Sequence, residues 1–414
     1  MACAVAALAL WARLEGRRGG RLALRVPPAE PTARMRLAFL VQMSGLRDEP
    51  SASALRRLLG LLLDGGRNAV AVHLDGKAAE ADAARLEALL GSLEHGGEVI
   101  MLRRSRVTYK GISMVDVTLR GISALLARGE RWRHFLNLSA EDYPLVTMAA
   151  LRRLLARLNP EANLMELSLG RFGWKQVVID PAMSMAQSGE LDEMPYGQRE
   201  RPRPSAFSVC KGGAWMVLSR SFAAYAATGG EDGLPRSLLL YFANYARPAE
   251  SYFQTLIAHS PRFAPTLVPF PMRFDYWPQC GHGGCQHPAV LGMKHLPDML
   301  ATAPLIARKL KPDPGAVSGD SDERSELTRW IDAHLLRGGA GNATFEAAAA
   351  AQLDAWVLDP ARDEQIQSPV APTSCHESLV VVRDPVQHKS YADGRSRGAK
   401  VVARNREMVL SAGE

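Results

Sequence analysis

Stretches that read as strands alternate with stretches that read as helices over the first 140 residues, and this alternation constrains the fold more than any other feature. "RLAFLVQM" (36–43) is a continuous apolar run of the kind that is buried on both faces of a sheet. "SASALRRLLGLLLD" (51–64) follows with helical spacing, capped by Ser51 or Ser53. The pattern continues with strand "AVAVHLD" (69–75), helix "AAEADAARLEALLGSL" (78–93), strand "EVIML" (98–102), helix "SMVDVTLRGISALLA" (113–127) and strand "HFLNL" (134–138). A helix in each connection predicts an α/β fold whose parallel sheet is covered on both faces. Ligands of such sheets bind beyond the carboxyl ends of the strands.

Further along, "TMAALRRLLARL" (147–158) reads as a helix and the polar, proline-rich 187–206 as a loop over a cleft. "FSVCKGGAWMVLSR" (207–220) is strand-like around a Gly212–Gly213 break, and "FAPTLVPFPMRFDYW" (263–277) is extended. These readings divide the chain into an apolar and basic segment with a linker at 1–34, an α/β domain at 35–310, a linker and helical extension at 311–359, and a loosely ordered tail at 360–414. No internal repeat is present.

Of the 414 residues 47% are hydrophobic, enough for a large core. The net charge of +7 is mostly arginine, spread along the chain without a lysine-rich block or a basic–aromatic array, so no nucleic-acid partner is expected. The apolar run Ala2–Ala12 is too short to cross about 30 Å of hydrocarbon. It reads as a signal-peptide core with its basic charge on the wrong side, or as a clipped or mis-started anchor. Five cysteines leave at least one unpaired or paired between chains.

Polar clusters follow successive strands: Asp75 and Lys77, then "VTYKG" (107–111), then Glu141 and Asp142. Each alone is an ordinary turn; together at strand ends they predict a site. In "RPAESYFQTLI" (247–257), Phe253, Leu256 and Ile257 should face a core, with Glu250 in the first helical turn. A carboxylate there either caps the helix or, held ionised by the helix dipole, serves as a base. Cys280, His282, Cys285 and His287 read as a zinc knuckle, a glycine-rich loop or a local disulfide. The Asp-x-Asp pair Asp320 and Asp322 lies in a Gly/Ser linker, a poor place for a metal that needs rigid ligands. Of two glycosylation sequons, Asn137 should be buried, while Asn342 should sit in a glycine-rich loop, open to modification in a secretory chain.

"VHLDGK", "VTYKGISMV", "NLSAEDYPL", "GGAWMVLSR", "PAESYFQTLI" and "LIARKLKPD" together resemble the core-2/I-branching β-1,6-N-acetylglucosaminyltransferase family, which also takes in peptide xylosyltransferases and plant glucuronosyltransferases. The likeness runs from Met35 to Ala340 and is nearer the plant-type branch. It implies a GT-A-like nucleotide-sugar-binding domain. It also implies inverting transfer from a UDP-sugar, of the N-acetylglucosamine class, to a hydroxyl of a glycan or glycoprotein without a metal. A non-catalytic nucleotide-sugar or glycan-binding protein is the alternative. By the same resemblance Glu250 is the base, Lys309 with neighbouring Arg308 holds the diphosphate, and His287 stands where animal members carry an arginine. Asp75 and Tyr109 match uridine contacts, with Val41 or Gln42 at the matching end of the first strand. Phe274 and Tyr276 match an acceptor-contacting aromatic pair, and Glu190, Glu193 and Arg199 are further acceptor candidates. Membrane association on the lumenal side of the Golgi is likewise implied by the family.

Overall fold

The computed structural model describes residues 35–129, 131–169, 180, 182, 204–278, 287–313, 324–337 and 340–358. Residues 1–34 and the tail from 360 lie outside this set, so the expectations placed on them do too.

Four parallel strands come from the first half: β1 (Arg36–Met43), β2 (Ala69–Leu74), β3 (Ile100–Met101) and β4 (Trp132–Ser139). Their connections are helices α1 (Glu49–Leu63), α2 (Glu80–Ser92) and α3 (Ser113–Ala127), as the alternation predicts. The remaining elements follow in chain order. They are β5 (Asp142–Pro144), α4 (Met148–Ala156), β6 (Asn163–Leu164), β7 (Ser168–Leu169), β8 (Cys210–Lys211), β9 (Val217–Ser219), α5 (Arg220–Thr228), α6 (Leu234–Phe242) and α7 (Tyr252–His259). Next come β10 (Leu267–Val268), β11 (Arg273–Asp275), α8 (Leu296–Thr302), β12 (Ile306–Arg308), α9 (Glu326–Ile331) and α10 (Ala340–Leu358).

The main sheet runs β10-β6-β9-β4-β1-β2-β3. Within it β9 lies antiparallel to both β4 and β6, which makes the sheet mixed. Along β1 the side chains alternate: Leu37, Phe39, Val41 and Met43 join the core under α1 and α2, while Ala38 and Leu40 join the core under α3. Small residues on the second face draw α3 close. A Cβ on Gly121 would lie 2.7 Å from Leu40 Cδ2, so any larger residue there would push the buried Leu40 aside.

A smaller sheet, β11-β12-β5, pairs β12 parallel to β11 and antiparallel to β5. It carries the end of β12 to the carboxyl end of β4, and this brings distant sequence into one site. The C-terminal helices are part of the main core, contributing Leu327, Ile331, Phe345 and Leu353. Tyr143 donates to Asp332 at 2.6 Å, and Phe270 stacks on Trp356. Asn137 is buried as expected, its amide bound to Ala214 O and Met216 N. Asn342 lies within α10, not in a loop, so the sequon expectation is corrected.

Candidate active site

Where β4 ends, the chain turns through Glu141 into β5. Asp142 is fully buried, and its two oxygens each take an arginine: Arg273 Nη1 and Arg308 Nη1, both at 2.9 Å. Arg273 also donates to Asn137 O at 2.9 Å, and Arg308 to Ser139 Oγ. The Arg308 guanidinium lies 4.4 Å from the Trp215 ring centroid and that of Arg273 5.6 Å away. Burial alone would push the Asp142 pKa up; the charges of Arg308 and Arg273 outweigh it and hold the carboxyl below its usual range.

One residue back, Glu141 faces the other way. Its carboxylate receives Lys309 Nζ at 3.2 Å on one oxygen and Lys311 Nζ at 3.0 Å on the other. The main chain fixes this register, since Leu310 N donates to Glu141 O at 2.9 Å and Leu291 N to Lys309 O at 2.8 Å.

At the ends of β2 and β3, Asp75 is buried and accepts the amides of Lys77 at 2.9 Å and Val107 at 3.3 Å. It thereby ties two strand-end loops together. Tyr109, 45% exposed, sits on the second of these loops, and its ring centroid lies 5.3 Å from that of His287. Lys110 Nζ hangs 5.0 Å above the same Tyr109 ring, and Lys110 O accepts Arg247 N at 2.9 Å. Burial and the charges of Lys309, Arg308 and Lys110 push the His287 pKa down. At neutral pH its imidazole therefore carries no charge.

Glu250 ends a one-turn 3-10 helix, Pro248–Glu250. Ser251, at φ −142° and ψ −33°, separates it from α7. The expected first helical turn is corrected: Glu250 precedes α7, because Ser251 breaks the helical path. Phe253, Leu256 and Ile257 are buried as predicted. Lys211 Nζ stands 3.3 Å from Glu250 Oε2. Gly212 N donates to Glu250 O at 2.9 Å, and no side chain fits at 212, where a Cβ would lie 1.9 Å from Glu166 O. Gln254 and Thr255 of α7 fasten the same segment through Gly213 O and Cys210 N.

Residues 211–215 thus touch Glu250 at one end and Arg308 at the other. Four residue steps span at most about 14 Å. The segment that carries Glu250 is therefore joined through residues 211–215 to the Arg308–Asp142 cluster beyond β4.

A family model described as Core-2/I-Branching enzyme matches residues 51–300. The chain belongs to the Core-2/I-branching enzyme family. Its GT-A-like α/β fold is the one the parallel strands and their helical connections build. Beta-glucuronosyltransferase GlcAT14B of Arabidopsis thaliana is 34% identical over 52% of this chain and 49% of its own length. GlcAT14A of the same plant is 31% identical over 70% of this chain and 64% of its own. Xylosyltransferase oxt of Drosophila melanogaster is 27% identical over 67% of this chain and 30% of its own. The chain thus spans about half to just under two thirds of the length of these glucuronosyltransferases.

In this Core-2/I-branching frame Arg308, expected on the diphosphate, gives Nη1 to Asp142 and Ser139 and lies over the Trp215 ring. The structure corrects two assignments. Val41 is fully buried and its strand is paired on both sides, to β2 and β4; the free end of β1 lies beyond Met43. Phe274 is fully buried in the core and has no face to offer an acceptor. Tyr276 is only partly buried, its ring 4.8 Å from that of His295. Glu190, Glu193 and Arg199 lie outside the described residues, as do Cys280, His282, Cys285, Asp320 and Asp322. Among the described residues no group of three or more His, Cys, Asp or Glu side chains could hold a metal ion.

Sequence reasoning missed Lys211, Trp215, Arg273 and Lys311. The Gly212–Gly213 break was the available signal for the first two, since paired glycines mark a close backbone approach. Lys311 was visible as the second lysine of "RKLK".

Proposed function

We propose that the protein is an inverting glycosyltransferase that moves a sugar from a UDP-sugar to a hydroxyl of a glycan or glycoprotein. One observation supports the reading in a member of this family: a half-exposed carboxylate, Glu250, is paired with Lys211 on a segment that runs on to Trp215, whose ring lies against Arg308, the residue before Lys309. Inversion needs a base that takes the acceptor proton as oxygen attacks the anomeric carbon. Glu250 has that role. The departing diphosphate needs positive charge, which Lys309 supplies from a side chain, without a metal. His287, uncharged at neutral pH, contributes a hydrogen bond at most. Asp75 and Tyr109 hold the uridine.

The names of the relatives shift the donor reading from N-acetylglucosamine to glucuronic acid, with xylose second. Action in the Golgi lumen is part of the same proposal. No helix among the described residues is long and apolar enough to cross a membrane.

The test is transfer by purified protein from UDP-glucuronic acid, UDP-xylose and UDP-N-acetylglucosamine, each with and without EDTA. Turnover of one donor, unchanged by EDTA, is expected. UDP binding with no turnover of any donor would favour the non-catalytic alternative, which an uncharged His287 also favours.

A further inference from the structure

The pairing of Glu141 with two lysines has no place in the chemistry above. Lys309 and Lys311 approach opposite oxygens of one carboxylate, while Leu310 between them is buried. Because Leu310 N is bonded to Glu141 O, the arrangement is built into the backbone and does not rest on two flexible side chains meeting by chance. Burial would push the Glu141 pKa up, but the hydrogen bonds and charges of Lys311 and Lys309 bring it below its usual value. The group is therefore an anion at neutral pH, held against the ammonium that the transfer reaction assigns to the diphosphate.

We infer that Lys311 is a second diphosphate ligand beside Lys309, and that Glu141 is an internal anion competing with the donor's diphosphate for both lysines. The inference rests on the proposed UDP-sugar reading. Carboxylate and phosphoryl oxygens seek the same N–H donors. A nucleoside diphosphate entering the site meets Glu141 as a like charge within a few ångströms, and it must share or take over the two ammonium groups. Glu141 thereby weakens nucleotide binding and speeds release of the product UDP. It has no contact with the reacting sugar and acts only through the lysines.

The experiment is calorimetric binding of UDP and of uridine to the wild type, Glu141→Gln and Lys311→Met, at low and high salt. Glu141→Gln should bind UDP about tenfold tighter and Lys311→Met about tenfold weaker. Uridine, which carries no phosphate, should bind all three equally. Both differences should shrink at high salt, where partly exposed charges are screened. UDP affinity unchanged in either variant, weaker binding by Glu141→Gln, or uridine affinity that moves with that of UDP would each overturn the inference. If the wild type binds UDP, those outcomes leave the transferase reading standing. A wild type that fails to bind UDP overturns both.

Discussion

Lys211 Nζ lies 3.3 Å from Glu250 Oε2, and the residue after Lys211 is hydrogen-bonded through its amide to the carbonyl of Glu250. One short segment thus holds Glu250 twice, its side chain on the carboxylate and its main chain on the carbonyl. The pair is partly exposed, so it adds little to stability, at most about 1 kcal/mol. Its value lies in aim. Lys211→Met should unfold like the wild type yet lose about tenfold in kcat/KM, a loss typical of a misaligned base. Lys211→Arg should recover part of it, and the donor KM should stay put. Full activity in Lys211→Met would show that Glu250 needs no such partner.

Glu250→Gln keeps the shape of the side chain and the main-chain bond to Gly212, and removes the carboxylate charge that pairs with Lys211 and would take the proton. General-base removal costs about 10²–10⁴ in rate. Transfer should fall by that amount while UDP binds as before, since the role proposed for Glu250 is toward the acceptor. Unchanged turnover would remove Glu250 from the mechanism.

Asp142 holds two guanidinium groups in a buried place. Asp142→Asn leaves both without a counter-charge, and breaking a buried pair from one side costs about 3–5 kcal/mol. Denaturant unfolding should register a loss of that size. The folded pKa of Asp142 is depressed below 3.8, so its stabilisation is present at pH values above 3.8. It is lost as pH falls through the lower folded value. At neutral pH the full difference between variant and wild type should therefore be seen, and it should narrow in strong acid.

Much of this was legible in sequence, because continuous apolar runs and capped periodic stretches have no other stable reading in a globular chain. That applies to β1 through β4 and their helices. The antiparallel β9 was not legible: three residues, Val217–Ser219, carry no directional signal. Polar clusters after β2, β3 and β4 pointed to the candidate site. Which carboxylates Arg308 and Lys309 meet was hidden, since the partner of Arg308 is a buried carboxylate 166 positions away. Phe274 shows the same limit. An aromatic residue in a short strand suits a sugar or a core equally, and only tertiary packing decides.

His134 sets the acid limit of the sheet that carries the site. It is fully buried in β4, aligned with Leu37 of β1 and Ser219 of β9. Burial, reinforced by the Arg133 charge, pushes its pKa from 6.5 down to about 3. His73 in β2 is pushed down to about 4 by burial and the Arg120 charge. Above pH 6.5 both rings are neutral in folded and unfolded chains and contribute no slope. Below it the unfolded chain binds a proton at each ring and the native state does not, so stability falls as pH falls. Each histidine contributes about 1.4 kcal/mol per pH unit, His73 until about pH 4 and His134 until about pH 3. Denaturant unfolding measured at intervals between pH 6 and pH 4 should show the summed slope in the wild type. His134→Leu should reduce that slope by about 1.4 kcal/mol per pH unit. Parallel slopes for the two proteins would mean that His134 takes up its proton in the native state, and that the sheet tolerates a charge at its centre.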